Sequence, residues 1–256
     1  MVRSRMILSC LFTLLTLPLL CCAQAEPQTS AAPLPRSTDS EISARELRIP
    51  GKALRPFNQG TKLLAEENSA ASIREFQRAI KVFPDFYEAY YKIGIAELNL
   101  QHHGEAQAAF EKSIELSHGR YPPADFGLGV ALCLQQQFAD AESAIRRGLD
   151  LDPAEAEGYF TLAWVLFNAA RVPDAEKSAR QAILLRADFA DAYLLLGQIH
   201  LRQGNTSALV SDLDAYLQLD PSGPHSTEAI GVRAQAQQLL AKQRTAVPVV
   251  AGTPNP

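Results

Sequence analysis

The side chains best suited to metal or acid–base chemistry are five histidines, four cysteines and the scattered acids. A zinc site needs three or four converging ligands. His102 and His103 are adjacent, but the neighbouring segments supply no obvious Cys or His partner, so we interpret them as surface turn residues. His200 falls at a packing position of a predicted helix, which favours a partly buried, hydrogen-bonded side chain over a ligand.

Motifs that mark enzyme sites are missing from the sequence. There is no GxSxG, HExxH, phosphate loop or dinucleotide fingerprint. The acids are spread along the chain, and no pair stands out for general acid–base work. The sequence therefore predicts no catalytic residue, no cofactor and no metal.

The composition is that of a globular chain. Of the 256 residues, 47% are hydrophobic and 20% are charged, both ordinary values. This argues against a chain disordered throughout and against a multi-pass membrane protein. The formal net charge is −4 and no basic patch dominates, so nucleic acid is not an expected partner.

Residues 1–25 have the three parts of a secretory signal peptide. Two arginines lie within the first five residues, residues 6–20 are almost wholly apolar, and Ala23 and Ala25 frame a small-x-small cleavage signal. Cleavage after Ala25 removes two arginines and no acids, so the formal net charge goes from −4 to −6. We expect a secreted or periplasmic protein, and the Ala-, Leu- and Arg-rich composition indicates a bacterial source.

Two alternatives remain open for this segment, an uncleaved membrane anchor and a lipid attached at Cys21 or Cys22. Leu20 is a poor match to the small residue that lipoprotein signals carry before the cysteine, which disfavours the lipid. Cleavage would also remove Cys10. Cys133 would then be a lone thiol, which cannot form an intrachain disulfide and which we expect to be a buried apolar side chain.

Between two Pro-rich ends the sequence repeats itself. Residues 26–52 are predicted to be a flexible linker with a candidate N-terminal cap, and residues 244–256 a disordered tail. One column of small residues recurs at spacings of 34, 35, 34 and 34, and consists of Gly60, Gly94, Gly129, Ala163 and Gly197. A second column keeps the same spacing and consists of Phe76, Phe110, Ile145, Ala179 and Leu213. Shared spacing indicates repeated helix–turn–helix units in which the small residue lets the second helix approach the first.

The chain resembles the tetratricopeptide repeat family, whose period is 34 residues and whose pattern includes L-G, A-x3-F and a terminal proline. Tyr90, Gly94, Ala106 and Phe110 fit that pattern in one repeat, and Pro153 ends another. The resemblance implies an all-α, right-handed α-solenoid of five repeats, at 53–86, 87–121, 122–155, 156–189 and 190–223. A capping helix is expected over residues 224–243.

The resemblance also implies a concave groove lined by the first helix of each repeat. The positions that line it in the family are unusually apolar here, which favours a groove for a peptide or helix. The predicted groove residues are Phe57, Tyr91, Ile95, Phe126, Val130, Phe160, Trp164, Phe167 and Leu194. Gln198 holds the same position in the fifth repeat as Trp164 in the fourth. Packing of these residues between neighbouring repeats is the main alternative, followed by self-association or occupation of the groove by the chain's own terminal segment.

We therefore expect a non-catalytic scaffold or adaptor of the cell envelope with a protein or peptide partner. A self-associating structural subunit is the main alternative, followed by an enzyme with an unrecognised site. Only a lipid anchor or an uncleaved signal would tie the chain to a membrane.

Overall fold

The computed structural model describes residues 49–246, with side chains as far as Gln243. Within this range every regular element is an α-helix. The helices are α1 (Gly51–Ala65), α2 (Ser69–Val82), α3 (Tyr87–Asn99), α4 (His103–Leu116), α5 (Pro122–Leu134), α6 (Phe138–Leu151), α7 (Ala156–Asn168), α8 (Val172–Leu185), α9 (Ala190–Gln203), α10 (Thr206–Leu219) and α11 (Ser226–Ala246). The predicted signal peptide, most of the linker and cap, and residues 247–256 lie outside the described residues.

Ten of these helices form five antiparallel pairs, and the two sequence columns explain the pairing. A Cβ on Gly60 would come within 2.8 Å of the Phe76 ring, and one on Gly94 within 2.6 Å of the Phe110 ring. In both repeats the glycine comes 16 residues before the phenylalanine. The same contact therefore joins the first helix to the second helix within each of these repeats. The predicted α-solenoid of helix–turn–helix units is confirmed.

The turns between the two helices of each repeat share one backbone conformation, which their residue types do not predict. Each contains a left-handed residue, and these are Glu67, Gln101, Gln136, Ala170 and Gly204, with φ between 60° and 72°. In every case the next amide N–H donates back to a carbonyl five residues earlier, for example Arg171 to Leu166 at 2.9 Å. This is the Schellman ending of a helix, for which glycine is the usual residue. Only the fifth repeat has glycine there.

First helices and second helices occupy different sides of the solenoid. Each first helix contacts the first helix of the next repeat (α1 with α3, α3 with α5, α5 with α7, α7 with α9), whereas successive second helices make no comparable contact. In a curved stack the elements that approach one another line the inside of the curve. The first helices therefore form the concave side.

The carboxyl-terminal end of the array carries α11, which packs on α10. Ala229 and Ala236 are buried, Ser226 Oγ donates to the Asp220 carbonyl at 2.8 Å, and Arg233 donates to Asp214 at 2.9 Å. The helix predicted over residues 224–243 is thus present. At the other end only residues 49–52 of the predicted linker and cap are described, and from Gly51 onward they belong to α1 itself.

Candidate functional site

The predicted groove residues lie on the first helices and contribute to one apolar surface. We call the inner face the surface formed by those nine residues together with Gln198. Eight of the nine are buried, and Phe57 is partly buried against them. The exposed fractions are 5% for Tyr91, 8% for Ile95, 3% for Phe126, 9% for Val130, 4% for Phe160, 2% for Trp164, 8% for Phe167 and 0% for Leu194. The inner face is therefore closely packed.

Aromatic contacts between neighbouring repeats account for part of this burial. The Phe57 ring lies 4.6 Å from the Phe86 ring, and the Tyr91 ring lies 5.3 Å from that of Tyr121 in an edge-to-face arrangement. Tilted and edge-on ring pairs at these distances are favourable. Phe57 and Tyr91 thus join repeats as well as lining the inner face.

The fourth repeat concentrates aromatic residues. The Phe160 ring lies 5.0 Å from the Phe189 ring in a tilted arrangement, and the Arg186 guanidinium lies 3.6 Å from the Phe189 ring centroid. Phe167 lies 5.2 Å from the guanidinium of Arg202 on α9, and Arg202 also donates to the Phe167 carbonyl at 3.3 Å. Each of these two aromatic residues, Phe189 and Phe167, therefore packs against a guanidinium cation.

Trp164 and Gln198 are the polar exceptions on the inner face. Trp164 Nε1 and both polar atoms of the Gln198 carboxamide are buried without a hydrogen-bond partner. A buried donor or acceptor without a partner costs about 1–3 kcal/mol. Gln198 follows Gly197, which faces Leu213 on α10, so its side chain leaves α9 about 100° around the axis from that contact.

Glu157 and Asp191 lie in the first turns of α7 and α9, and Asp220 directly follows α10. Burial is the main cause that raises the pKa of Asp191 to about 6, and the charges of Asp220 and Glu157 add to it. The Arg186 guanidinium acts in the opposite direction and lies 3.6 Å from Glu157 Oε1. We call Glu157, Asp191 and Asp220 the acidic end.

Side chains that could support chemistry elsewhere are engaged in structure. His200 is buried, as predicted; its Nδ1 lies 2.5 Å from Asp212 and its Nε2 3.4 Å from Glu176. His102 is an exposed residue just before α4 and contacts Glu97 at 2.8 Å. Cys133 is buried, which raises its thiol pKa to about 12 and leaves it unreactive at neutral pH. Among residues 49–243, no three His, Cys, Asp or Glu side chains converge as a metal site would require.

A family model described as "Tetratricopeptide repeat" matches residues 57–122, 91–156 and 160–224. These matches cover well over half of the chain. The chain belongs to the tetratricopeptide repeat family.

Known relatives share the fold at low identity. A tetratricopeptide repeat-containing protein trd-1 from Caenorhabditis elegans is 24% identical over 143 residues, which are 56% of this chain and only 17% of that relative. The solved structure of PilW, described as a widely conserved type IV pilus biogenesis factor, has a TM-score of 0.63 at 13% identity and covers 79% of this chain and 96% of its own. YrrB, described as having an unusual peptide-binding site, has a TM-score of 0.50 at 18% identity and covers 76% and 95%.

None of the helices within residues 49–246 combines the length and the apolar character that crossing a membrane demands.

Proposed function

We propose that this protein is a non-catalytic interaction scaffold of the cell envelope and that its inner face binds a peptide segment of another protein. The observation that carries this proposal is the row of apolar side chains that the first helices place on the concave side of the array, with the unpaired polar atoms of Trp164 and Gln198 among them. Membership of a family of protein-binding arrays supports the proposal, as does the fold shared with YrrB, which is described as having an unusual peptide-binding site.

The test is photo-crosslinking in the living cell. A benzoyl-phenylalanine residue is placed at Gln198 on the inner face and, in a matched control, at the exposed Lys177 on α8. We expect an adduct with a distinct protein from position 198 only. The same adduct from both positions, or none from position 198, would contradict binding at the inner face.

The envelope location is the second part of the proposal. It is supported by the signal-peptide pattern of residues 1–25 and by the fold shared with a pilus biogenesis factor. Cell fractionation and the intact mass of the isolated chain test it together. We expect the chain in the envelope fraction with Glu26 as its first residue; retention of residues 1–25 would indicate an anchor, and added lipid mass would indicate acylation.

A self-associating subunit is distinguished by light scattering after size-exclusion chromatography. The scaffold is expected to keep one mass over a hundredfold range of concentration. A mass that rises with concentration would favour assembly through the array itself.

A further inference from the structure

One edge of the solenoid carries a row of exposed aliphatic side chains. Every second helix ends on an aliphatic residue, and these residues are Val82, Leu116, Leu151, Leu185 and Leu219. Because the repeats are equivalent and stacked, the five residues follow one another along the edge where each repeat connects to the next. Four of them are between 38% and 47% exposed, and Leu116 is half-buried.

Leu184 enlarges this row in the fourth repeat. The corresponding residues of the other repeats are all polar, namely Lys81, Glu115, Asp150 and Gln218. Leu184 is 77% exposed, more than any other large apolar side chain in the described part of the chain. We call these six aliphatic residues the edge row. Packing within the array does not account for Leu184, whereas exposed apolar side chains that adjoin one another are typical of an interaction surface.

The same edge is strongly acidic. We define the inter-repeat edge as the last four residues of each second helix, the connection that follows and the first three residues of the next helix. It contains eleven acids and three bases, a net charge of −8, whereas the rest of residues 49–246 has thirteen acids and sixteen bases, a net charge of +3. The acids, none of which is buried, are Asp85, Glu88, Glu115, Asp150, Asp152, Glu155, Glu157, Asp188, Asp191, Asp220 and Glu228.

Local helix stability does not explain this excess of acids. Glu115 and Asp150 lie in the last turn of a helix, where the helix dipole disfavours negative charge. Lys112 lies 2.8 Å from Glu115, and Arg186 lies 3.6 Å from Glu157, so these ion pairs offset only two of the eleven acids. The acidic end belongs to the same edge. Negative charge and exposed apolar side chains therefore coincide on one surface of the molecule.

The spacing of the edge row matches an α-helix. Successive first helices contact one another, so the repeats follow at roughly 10 Å, the interaxial distance of packed helices. Side chains seven residues apart on an α-helix lie on one face and are also roughly 10 Å apart. An extended chain places side chains on one face every ~7 Å, which does not match the row.

Charge distinguishes between the possible occupants of this edge. A second copy of the chain would place eleven acids against eleven, and anionic lipid headgroups would also be repelled. Residues 26–48 precede α1, which begins at this edge, but they contain four acids and three arginines. A helix of another protein with a surplus of Lys or Arg meets both the charge and the spacing.

We propose that the inter-repeat edge is a second binding surface, and that it binds a basic amphipathic helix whose apolar side chains recur every seven residues. The edge row packs against those side chains, and the surrounding acids pair with the cations beside them. This surface is separate from the inner face, so the inference goes beyond the proposed scaffold function.

The test uses the full chain as isolated from cells and three fluorescein-labelled peptides of three heptads each. In the parent peptide one leucine recurs every seven residues of an alanine helix, with a lysine on either side of it. One twin has glutamate in place of lysine, and the other has the parent composition with its leucines spread around the helix. Fluorescence anisotropy is expected to give at least tenfold weaker binding for each twin, and added salt should weaken binding of the parent.

Two double variants locate the binding surface. Leu151→Ser with Leu185→Ser should keep the native urea midpoint, because both side chains are exposed, and should bind the parent about tenfold more weakly. Asp150→Lys with Asp188→Lys should weaken binding of the parent and strengthen binding of the glutamate twin. The matched control is Leu201→Ser, which is 40% exposed at the opposite end of the helices and should bind as the native chain does.

Several results would overturn the inference. Equal binding of the parent and either twin would exclude recognition of a basic amphipathic helix. Native affinity in both double variants, or a matching loss in Leu201→Ser, would place the peptide away from the inter-repeat edge. A native dimer in light scattering that the leucine double variant abolishes would assign the edge to a second copy. Crosslinking from position 198 does not depend on this edge, so the scaffold function is tested separately.

Discussion

At the scale of single residues, substitutions at the recurring small residues of the first helices measure how closely the two helices of a repeat approach each other. A Cβ on Gly129 would collide with Ile145 and come within 3.1 Å of the Ala141 carbonyl oxygen, whereas one on Gly197 would meet Leu213 at 3.3 Å and Leu209 at 3.5 Å. We expect Gly129→Ala to lower the free energy of unfolding by about 1–3 kcal/mol through overpacking. Gly197→Ala should change it by less than about 1 kcal/mol, because alanine's higher helix propensity offsets the mild contact.

Urea unfolding of both variants measures this difference. Gly104→Ala is the reference, because a Cβ added there would have no contact within 4 Å. Equal losses for Gly129→Ala and Gly197→Ala would show that the helix pairs are equally spaced. The sequence pattern alone treats these glycines as equivalent.

Ala170 gives a second prediction at this scale, since it is held at φ 60° in the turn of the fourth repeat. The left-handed conformation is costly for a residue with a Cβ and not for glycine. Ala170→Gly should raise the free energy of unfolding by about 0.5–1 kcal/mol. The matched control is Ala169→Gly, at φ −74°, which should be neutral or destabilising; thermal unfolding that shows stabilisation by both or by neither would contradict the argument.

At the scale of the element, a polar network ties α8, α9 and α10 together. Hydrogen bonds from Gln203 and from Arg180 lower the pKa of Glu176 to about 2, well below its usual value. Both donors lie within 2.9 Å of Glu176, and His200 links it to Asp212. A carboxylate whose pKa is lowered by folding contributes stability above its unfolded pKa, and that stability is lost as the pH falls.

We therefore expect Glu176→Gln to destabilise the array at pH 7 and to flatten the loss of stability between about pH 4.5 and 2. Urea midpoints at pH 7, 4.5 and 3 measure both effects. Glu105→Gln, at an exposed position in the first turn of α4, serves as the control. Curves that stay parallel to the native curve at every pH would refute a role for the Glu176 network in acid stability.

At the scale of the whole molecule, the fold was predictable because period and spacing are properties of the sequence itself. Columns that stay in phase over five repeats require five equivalent units, and the 16-residue separation of Gly60 and Phe76 already specifies which helix faces meet. Two features were not accessible in this way. The left-handed turn residues are mostly Glu, Gln and Ala, which carry no turn signal, and the pairing state of Trp164 Nε1 depends on three-dimensional neighbours.

Because the repeats are stacked in a row, the architecture also predicts the effect of deleting the carboxyl-terminal helix α11. In a repeat array the free energy of unfolding is close to a sum over units and nearest-neighbour interfaces, and the main interface of α11 is with α10. Deleting residues 224–256 should therefore lower the free energy of unfolding by on the order of 2 kcal/mol, because apolar side chains buried under α11 return to water. The same deletion should reduce the denaturant slope and uncover apolar surface on α10.

Deleting only residues 247–256 is the control, because it leaves α11 whole. Urea titration combined with light scattering should show a less stable array whose mass depends on concentration for the larger deletion alone, since the uncovered face of α10 can then pair with a second copy. If the larger deletion remains monomeric with the native midpoint, α11 is not the cap that closes the solenoid.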